Sequence, residues 1–350
     1  MAENGTIAPM TAPPARLELA LAPTPILKLD RLSRRLGVEL HVKRDDLTGL
    51  LESGNKVRKL EFLVGEALQQ GADTLITCGT PHSNGCRAVA AVAARLGLRA
   101  VLAIRGERPA AADGNLLLSG LLGADTRHYP ELALAPEGAD AIMTALAAEV
   151  RDRGGRPYVI LESGAGELGA LGYIECAVEL SEQIHHGAPR FDTIVITAGS
   201  GGSHAGLLMG KQLAGLPGEI VSVPVTSPAE RVREGIVRTI GAAIRRFGFA
   251  IEVPKAIHLL DGYQGVGTEA TDEELGVIVR LAREEGLLLD PVYTARGFRG
   301  LVETLERDPK ALGQRVCFIH TGGLFSLFAY KDRLGQLLGE ARPKASRSDT

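Results

Sequence analysis

From residue 56 onward the chain alternates two kinds of apolar pattern. The run "NKVRKLEFLVGEALQQG" places Val57, Leu60, Val64, Ala67 and Leu68 at helical spacing and stops at Gly71. "DTLITCG" is a short continuous apolar run of the kind a buried strand makes, and "NGCRAVAAVAARLG" returns to helical spacing. The alternation continues through "RAVLAIRG" (strand), "GNLLLSGLLG" (helix), "DTRHYP" (weak strand), "GADAIMTALAAEVRDRGG" (helix) and "PYVILES" (strand). Strands separated by helices predict right-handed crossovers and a parallel sheet. A second series follows "GAGELGALGYIECAVELSEQI": "FDTIVITAGSGG" as strand and loop, "SHAGLLMGKQLAG" as helix, "EIVSVPV" as strand, then "TDEELGVIVRLAREEG" and "RVCFIHTGG" as helix and strand. Two α/β lobes are expected, with ligands beyond the carboxyl ends of the strands, where the glycines cluster.

A length of 350 residues suits two domains. With a net charge of -3 and 45% hydrophobic residues, the chain offers no basic face for nucleic acid or anionic lipid, so small molecules are the expected partners. No run approaches the roughly 18 apolar residues of a membrane helix. The N-terminus, with an early acid and prolines on both sides of its apolar piece, does not read as a signal peptide. Cys78, Cys86, Cys176 and Cys317 form no C-x-x-C pair and no metal-ligand spacing, which favours reduced core thiols and a cytoplasmic setting. His185-His186 reads as a solvated pair rather than a metal site, "VRTIGAAIRRFG" as an exposed helix side, and "RPKASRSDT" as a solvated tail.

Four loops carry candidate chemistry. In "SGNK" a tight turn presents Lys56 at a helix start, where a cation opposes the helix dipole. Read as S-x-x-K, the same four residues would make Ser53 an acyl-transfer nucleophile, but no S-D-N or K-T-G follows. "TAGSGGSHAG" lies between a strand and a helix, and its bare N–H groups with Ser200 and Ser203 make a phosphate cradle. His204 stands where a dinucleotide fingerprint needs its last glycine. "CGTPHSNGCRA" offers Ser83 and Asn84 as helix caps, and the same N–H groups suit a carboxylate. "LLLDPVYTARGFRGL" alone reads as a turn leading into a helix. An imine-forming lysine, a one-phosphate loop and a carboxylate site together fit an amino-acid enzyme using pyridoxal phosphate.

The chain resembles the D-cysteine desulfhydrase and 1-aminocyclopropane-1-carboxylate (ACC) deaminase family, through "TPILKLDRLS", "HVKRDDLTG", "SGNKVRKLEFL", "GADTLITCGTPHSN", "GALGY", "GSGGSHAG", "DPVYT" and "HTGG". The resemblance implies the type II pyridoxal-phosphate fold: two open parallel-sheet three-layer domains with the cofactor in the cleft between them. The expected division is a discontinuous large domain of residues 1–57 and 165–345, a small domain of residues 58–164, and a tail of residues 346–350. It implies Lys56 as the Schiff-base lysine, Asn84 at the cofactor's ring hydroxyl, and Gly199, Ser200, Gly201, Gly202 and Ser203 as the phosphate loop. It further implies Ser83 facing the substrate, Tyr293 as an active-site tyrosine and Thr294 nearest the pyridine nitrogen, where ACC deaminases carry glutamate. A homodimer is expected on the same ground.

Departures from the family pattern lie around the substrate. His82-Ser83-Asn84-Gly85 replaces a Gln-Ser-Asn followed by His or Gln. Thr268 stands where a tyrosine is usual, in a stretch that also holds Val266, and Tyr263 is a possible substitute; Arg296 replaces a common lysine. His82, Gly85, Tyr263 and Thr268 therefore join Ser83 and Asn84 as expected substrate-binding positions. The implied reaction is β-elimination, with ACC ring opening, cysteate elimination, β-replacement and racemisation as alternatives within the fold. A protein that binds pyridoxal phosphate without turnover is the alternative outside the enzymes.

Overall fold

The computed structural model describes residues 14–134, 138–265, 267 and 269–340. The chain opens with β1 (Ile26–Lys28), α1 (Asp30–Leu36) and β2 (Glu39–Lys43), then runs into α2 (Asn55–Gln69). There follow β3 (Thr74–Gly79), α3 (Asn84–Leu96), β4 (Arg99–Arg105), α4 (Gly114–Leu121) and β5 (Asp125–Tyr129). A single turn α5 (Glu131–Leu134), α6 (Ala139–Asp152) and β6 (Pro157–Val159) close the first series. Its four strands pair in parallel in the order β5-β4-β3-β6, the sheet that the alternating pattern predicts.

Helix α7 (Glu167–His185) starts the second series, with β7 (Thr193–Ala198), α8 (Gly202–Ala214), β8 (Glu219–Pro224), α9 (Ala229–Phe247) and β9 (His258–Leu259). Then come α10 (Asp272–Glu285), α11 (Thr294–Arg307), β10 (Arg315–Ile319) and α12 (Lys331–Glu340). The second sheet has the order β1-β2-β10-β7-β8-β9 and is parallel except for β1, which runs antiparallel to β2. The late strand β10 is inserted between the early strands: Cys317 stands opposite His41 on one side and Ile194 on the other.

Burial explains which strands the pattern revealed. Strands β3 and β7 are buried at every position, so they read as unbroken apolar runs. Strand β1 has three residues, none fully buried, and β9 has two, so neither leaves a periodic signal.

Helix α2 matters most for the site, and buried charge holds it. Arg58, 2% exposed, donates to both carboxylate oxygens of Asp45 at 2.8 and 2.9 Å and to Glu179 on α7 at 2.8 Å. Lys43 on β2 reaches the same Glu179 at 2.5 Å. The helices also approach closely: a Cβ on Gly172 of α7 would stand 2.2 Å from the Arg58 carbonyl oxygen, so a glycine is required there. Both the ion-pair cluster and the glycine contact fix the axis of α2, and with it the direction in which Lys56 points.

Candidate active site

The carboxyl ends of β7 and β10, the starts of α2 and α3 and the segment before α11 converge on one cleft. Lys56 enters it as the second residue of α2. No side chain caps this helix; its N-cap, Gly54, has φ +96°. A Cβ on Gly54 would lie 2.6 Å from the Thr321 carbonyl oxygen, and that oxygen instead accepts a hydrogen bond from the Asn55 N–H at 3.0 Å. The turn that carries Lys56 is thus docked onto the loop after β10, and only glycine permits the docking.

Burial lowers the pKa of the Lys56 amine to about 8, while Glu162 and Asp290 pull it the other way. One turn along α2, Lys59 is 2% exposed, and burial followed by the charge of Lys56 takes its pKa well below the usual lysine value. Among the described residues neither amine has a carboxylate within ion-pair distance. Both donate to the carbonyl oxygen of Ser163, at 3.5 Å from Lys56 and 3.4 Å from Lys59. Ser163 has φ +63°, the one non-glycine residue with positive φ among those described. Such backbone costs free energy and persists where the surroundings impose it.

Across the cleft, Gly199, Ser200, Gly201, Gly202 and Ser203 all line the wall between β7 and α8. Helix α8 also lacks a side-chain cap, and its N-cap, Gly201, takes φ +86°. A Cβ on Gly202 would stand 3.2 Å from Lys59 Nζ. An uncapped helix start facing one buried amine, with a second amine beside it, is a donor set for a phosphate dianion, whose charge favours their protonated forms. The residues present therefore fit the phosphate of pyridoxal phosphate.

The remaining walls come from three places. Ser83 caps α3, its Oγ accepting from the Cys86 N–H at 3.1 Å, which leaves the next residue, Asn84, on the cleft. Tyr293 lines the cleft just before α11, and burial raises its phenol pKa, so the hydroxyl stays neutral. Asp290, 1% exposed, receives the N–H groups of Val292, Tyr293 and Thr294 and the Thr294 hydroxyl. Burial raises its pKa, but every partner is a donor, so the carboxylate is the form this geometry holds.

Several expected positions lie elsewhere. Thr294 is fully buried behind the wall, its hydroxyl donating to Asp290 at 2.7 Å and accepting from the Asp290 N–H at 2.7 Å; Thr321 lines the cleft instead. Tyr263 does not reach the cleft either, because its hydroxyl accepts from Arg307 at 3.3 Å and its ring packs beside Gly300 of α11. Val266 and Thr268 lie outside the described residues. His82 stands beside Tyr330, ring centroids 5.8 Å apart. Gly85 opens onto a separate, smaller cavity shared with Lys56, Leu60, Val89 and Ile160. Arg296 points away from the cleft to Glu274 at 2.9 Å and to the carbonyls of Val225, Gly267 and Glu269.

The other candidates take structural places. Ser53 is buried, its carbonyl bonded by Arg87, while the Lys56 amine bonds Ser163. The four cysteines are free and buried, and burial raises the thiols of Cys78, Cys86 and Cys317 to about 12. His185 and His186 are exposed, and the His186 Nδ1 lies 2.8 Å from the Glu182 carbonyl oxygen. Among the described residues no helix is long and apolar enough to cross a membrane.

Comparison with known proteins agrees with this geometry. The family model described as "Pyridoxal-phosphate dependent enzyme" matches residues 17–322. The D-cysteine desulfhydrase of Yersinia enterocolitica is 40% identical over 326 residues, covering 90% of this chain and 96% of that protein. A Pyrococcus abyssi protein named "Putative 1-aminocyclopropane-1-carboxylate deaminase" is 40% identical over 325 residues, covering 92% of this chain and 96% of its own length. The crystal structure of an ACC deaminase homologue superposes with a TM-score of 0.81 at 37% identity, covering 92% of this chain and 96% of that one.

Proposed function

Because the chain belongs to the pyridoxal-phosphate-dependent enzyme family, we propose that it is a lyase that removes a β-substituent from a small amino acid. D-Cysteine is the proposed substrate, with pyruvate, ammonia and sulfide as products. The observation that carries this reading is Lys56, an amine with a pKa of about 8 set opposite an uncapped glycine loop. An amine poised this close to neutrality can both condense with a carbonyl and act as a base.

When bound, pyridoxal phosphate supplies an aldehyde that condenses with amines and a ring that takes up the electron pair left on a substrate carbon. Residues Gly199 to Ser203 hold its phosphate through their N–H groups, Lys59 neutralises part of that charge, and Asn84 faces the ring hydroxyl. Lys56 is the condensing amine. Lys56 Nζ, when not engaged with the cofactor, would be the base that accepts the proton from the substrate α-carbon. The neutral Tyr293 hydroxyl donates toward the departing sulfur, and Ser83, Asn84 and the N–H groups at the start of α3 receive the substrate carboxylate.

Elimination is preferred to ACC ring opening because ACC has no α-proton for Lys56 to take, and Tyr263 stands away from the cleft. The test is keto-acid release by purified, pyridoxal-phosphate-loaded protein given D-cysteine, with ACC and cysteate in parallel. Pyruvate with sulfide supports the proposal. 2-Oxobutyrate from ACC without reaction of D-cysteine would replace it, and no keto acid from any of the three would sink the elimination reading. The division of the chain at residues 57/58 and 164/165, a homodimer and a cytoplasmic setting belong to the same proposal.

A further inference from the structure

The side-chain amide of Asn84 does not choose its own orientation. Arg87, one turn along α3 and fully buried, has donors and no acceptor. Its Nε donates to Asn115 Oδ1 at 2.9 Å, and its terminal nitrogens donate to the carbonyls of Leu51 and Ser53. Asn115, 2% exposed near the start of α4, must then accept through Oδ1, so its Nδ2 is the donor. That Nδ2 donates to the His82 carbonyl at 2.8 Å and to Asn84 Oδ1 at 2.9 Å. With its oxygen occupied, Asn84 is left with the NH2 group, which has no acceptor among the described residues, on a side chain that lines the cleft.

Every direction in this chain of bonds follows from the guanidinium at its head. That guanidinium is itself an expensive thing to bury: it has no carboxylate partner among the described residues, only carbonyls, an amide oxygen and the ring of Phe325, 5.2 Å from Cζ. Its two carbonyl partners, Leu51 and Ser53, belong to the turn that delivers Lys56.

We infer that Arg87 and Asn115 are positioning residues, which lock Asn84 as a donor toward the cleft and tie it to the Lys56 turn through one guanidinium. The inference rests on the proposed reading in which Asn84 faces the ring hydroxyl of pyridoxal phosphate. A fixed donor favours the anionic form of that oxygen, whereas an amide free to flip presents its own oxygen half the time and favours the neutral form.

The variant Asn115→Asp separates this role from simple packing. Its carboxylate still pairs with Arg87, so the buried guanidinium keeps a partner, but the donor to Asn84 Oδ1 is gone. The expected result is a rise of about one unit in the pH midpoint of the visible absorption of the pyridoxal phosphate complex, with an affinity for pyridoxal phosphate lowered about tenfold. The double variant Asn84→Ala/Asn115→Asp should titrate like Asn84→Ala alone, since both act through one bond. An Asn115→Asp protein with the wild-type midpoint overturns the inference, as does a double variant whose shifts simply add. Should Asn115→Asp not fold, Asn115→Ala answers the same question: a raised midpoint supports the relay, and an unchanged one overturns it. A wild-type protein that gives no visible band with pyridoxal phosphate would instead sink the functional reading, so the two failures are told apart.

Discussion

Lys56 and Lys59 aim their amines at the same oxygen, the Ser163 carbonyl, 3.5 and 3.4 Å away. Burial lowers the pKa of both amines, and the charge of Lys56 lowers that of Lys59 further; a dianion placed between them and the glycine loop favours protonation of both.

Removing the second amine should therefore separate phosphate from ring. Lys59→Met is expected to weaken pyridoxal phosphate binding by roughly 10- to 100-fold, the scale of one charge-assisted hydrogen bond. Binding of pyridoxal, which lacks the phosphate, should hardly change. Equilibrium dialysis of both ligands decides it, and equal losses for the two would show that Lys59 does not serve the phosphate.

Lys56→Ala should lower keto-acid release by roughly 10³-fold or more, because the condensing amine and the base are lost together. The variant should still take up pyridoxal phosphate without covalent attachment. Borohydride treatment followed by intact mass then gives a reduced adduct in the wild type and none in the variant.

The cofactor-free protein should become more stable as pH rises above about 8. The folded-state pKa of Lys56 lies below its value of about 10.5 in the unfolded chain, so between the two the unfolded state holds the extra proton. Lys59 extends the same trend to lower pH. Melting temperature measured from pH 7 to 9.5 should climb, and Lys56→Ala should flatten the climb. A slope unchanged by that substitution would refute the assignment.

Gly54→Ala forces a Cβ to within 2.6 Å of the Thr321 carbonyl at φ +96°. Strain of this kind costs roughly 1–3 kcal/mol, and relieving it moves the Lys56 turn off the β10 loop. Urea midpoint and cofactor affinity should fall together, and a loss of stability alone would mean that the turn does not set the amine.

Arg296→Met should cost about 3–5 kcal/mol, because it leaves Glu274 as a buried charge without its partner. Guanidinium denaturation reads this directly. The cofactor site should be affected only indirectly, since Arg296 points to the segment around residues 265–269 and not into the cleft.

What could be read in advance was local. Lys56 in its turn, the glycine loop at Gly199 to Ser203 and the buried strands announce themselves by residue type at fixed spacing. Lys59 had a weaker signal, a cation three residues after Lys56 and so on the same helix face, in a run where Val57, Leu60 and Val64 are apolar but Arg58 and Glu61 are charged. Ser163 had none, and Asp290 and Thr321 lay inside the quoted "DPVYT" and "HTGG" stretches without roles of their own, because places on the cleft are set by pairing between strands and helices far apart in sequence. Thr294 shows the limit of matching motifs: the hydroxyl expected at the ring instead closes on Asp290, four residues earlier, an exchange visible only once the turn before α11 is built. Tyr263 likewise lies in the expected region of the sequence, but its hydroxyl accepts from Arg307 and its ring packs beside Gly300.

The insertion of β10 between β2 and β7 also sets an order of assembly. Until residues 315–319 are in place, β2 and β7 have no common neighbour, and the Thr321 carbonyl that receives the start of α2 does not yet exist as a docking point. The nascent chain thus carries its reactive lysine for some 260 residues of synthesis before the pocket around it closes, a long-range pairing of the kind that is slow to form. The cofactor cleft is therefore completed only by the last strand in the chain, and the colour of the bound cofactor reports chains in which that strand has paired.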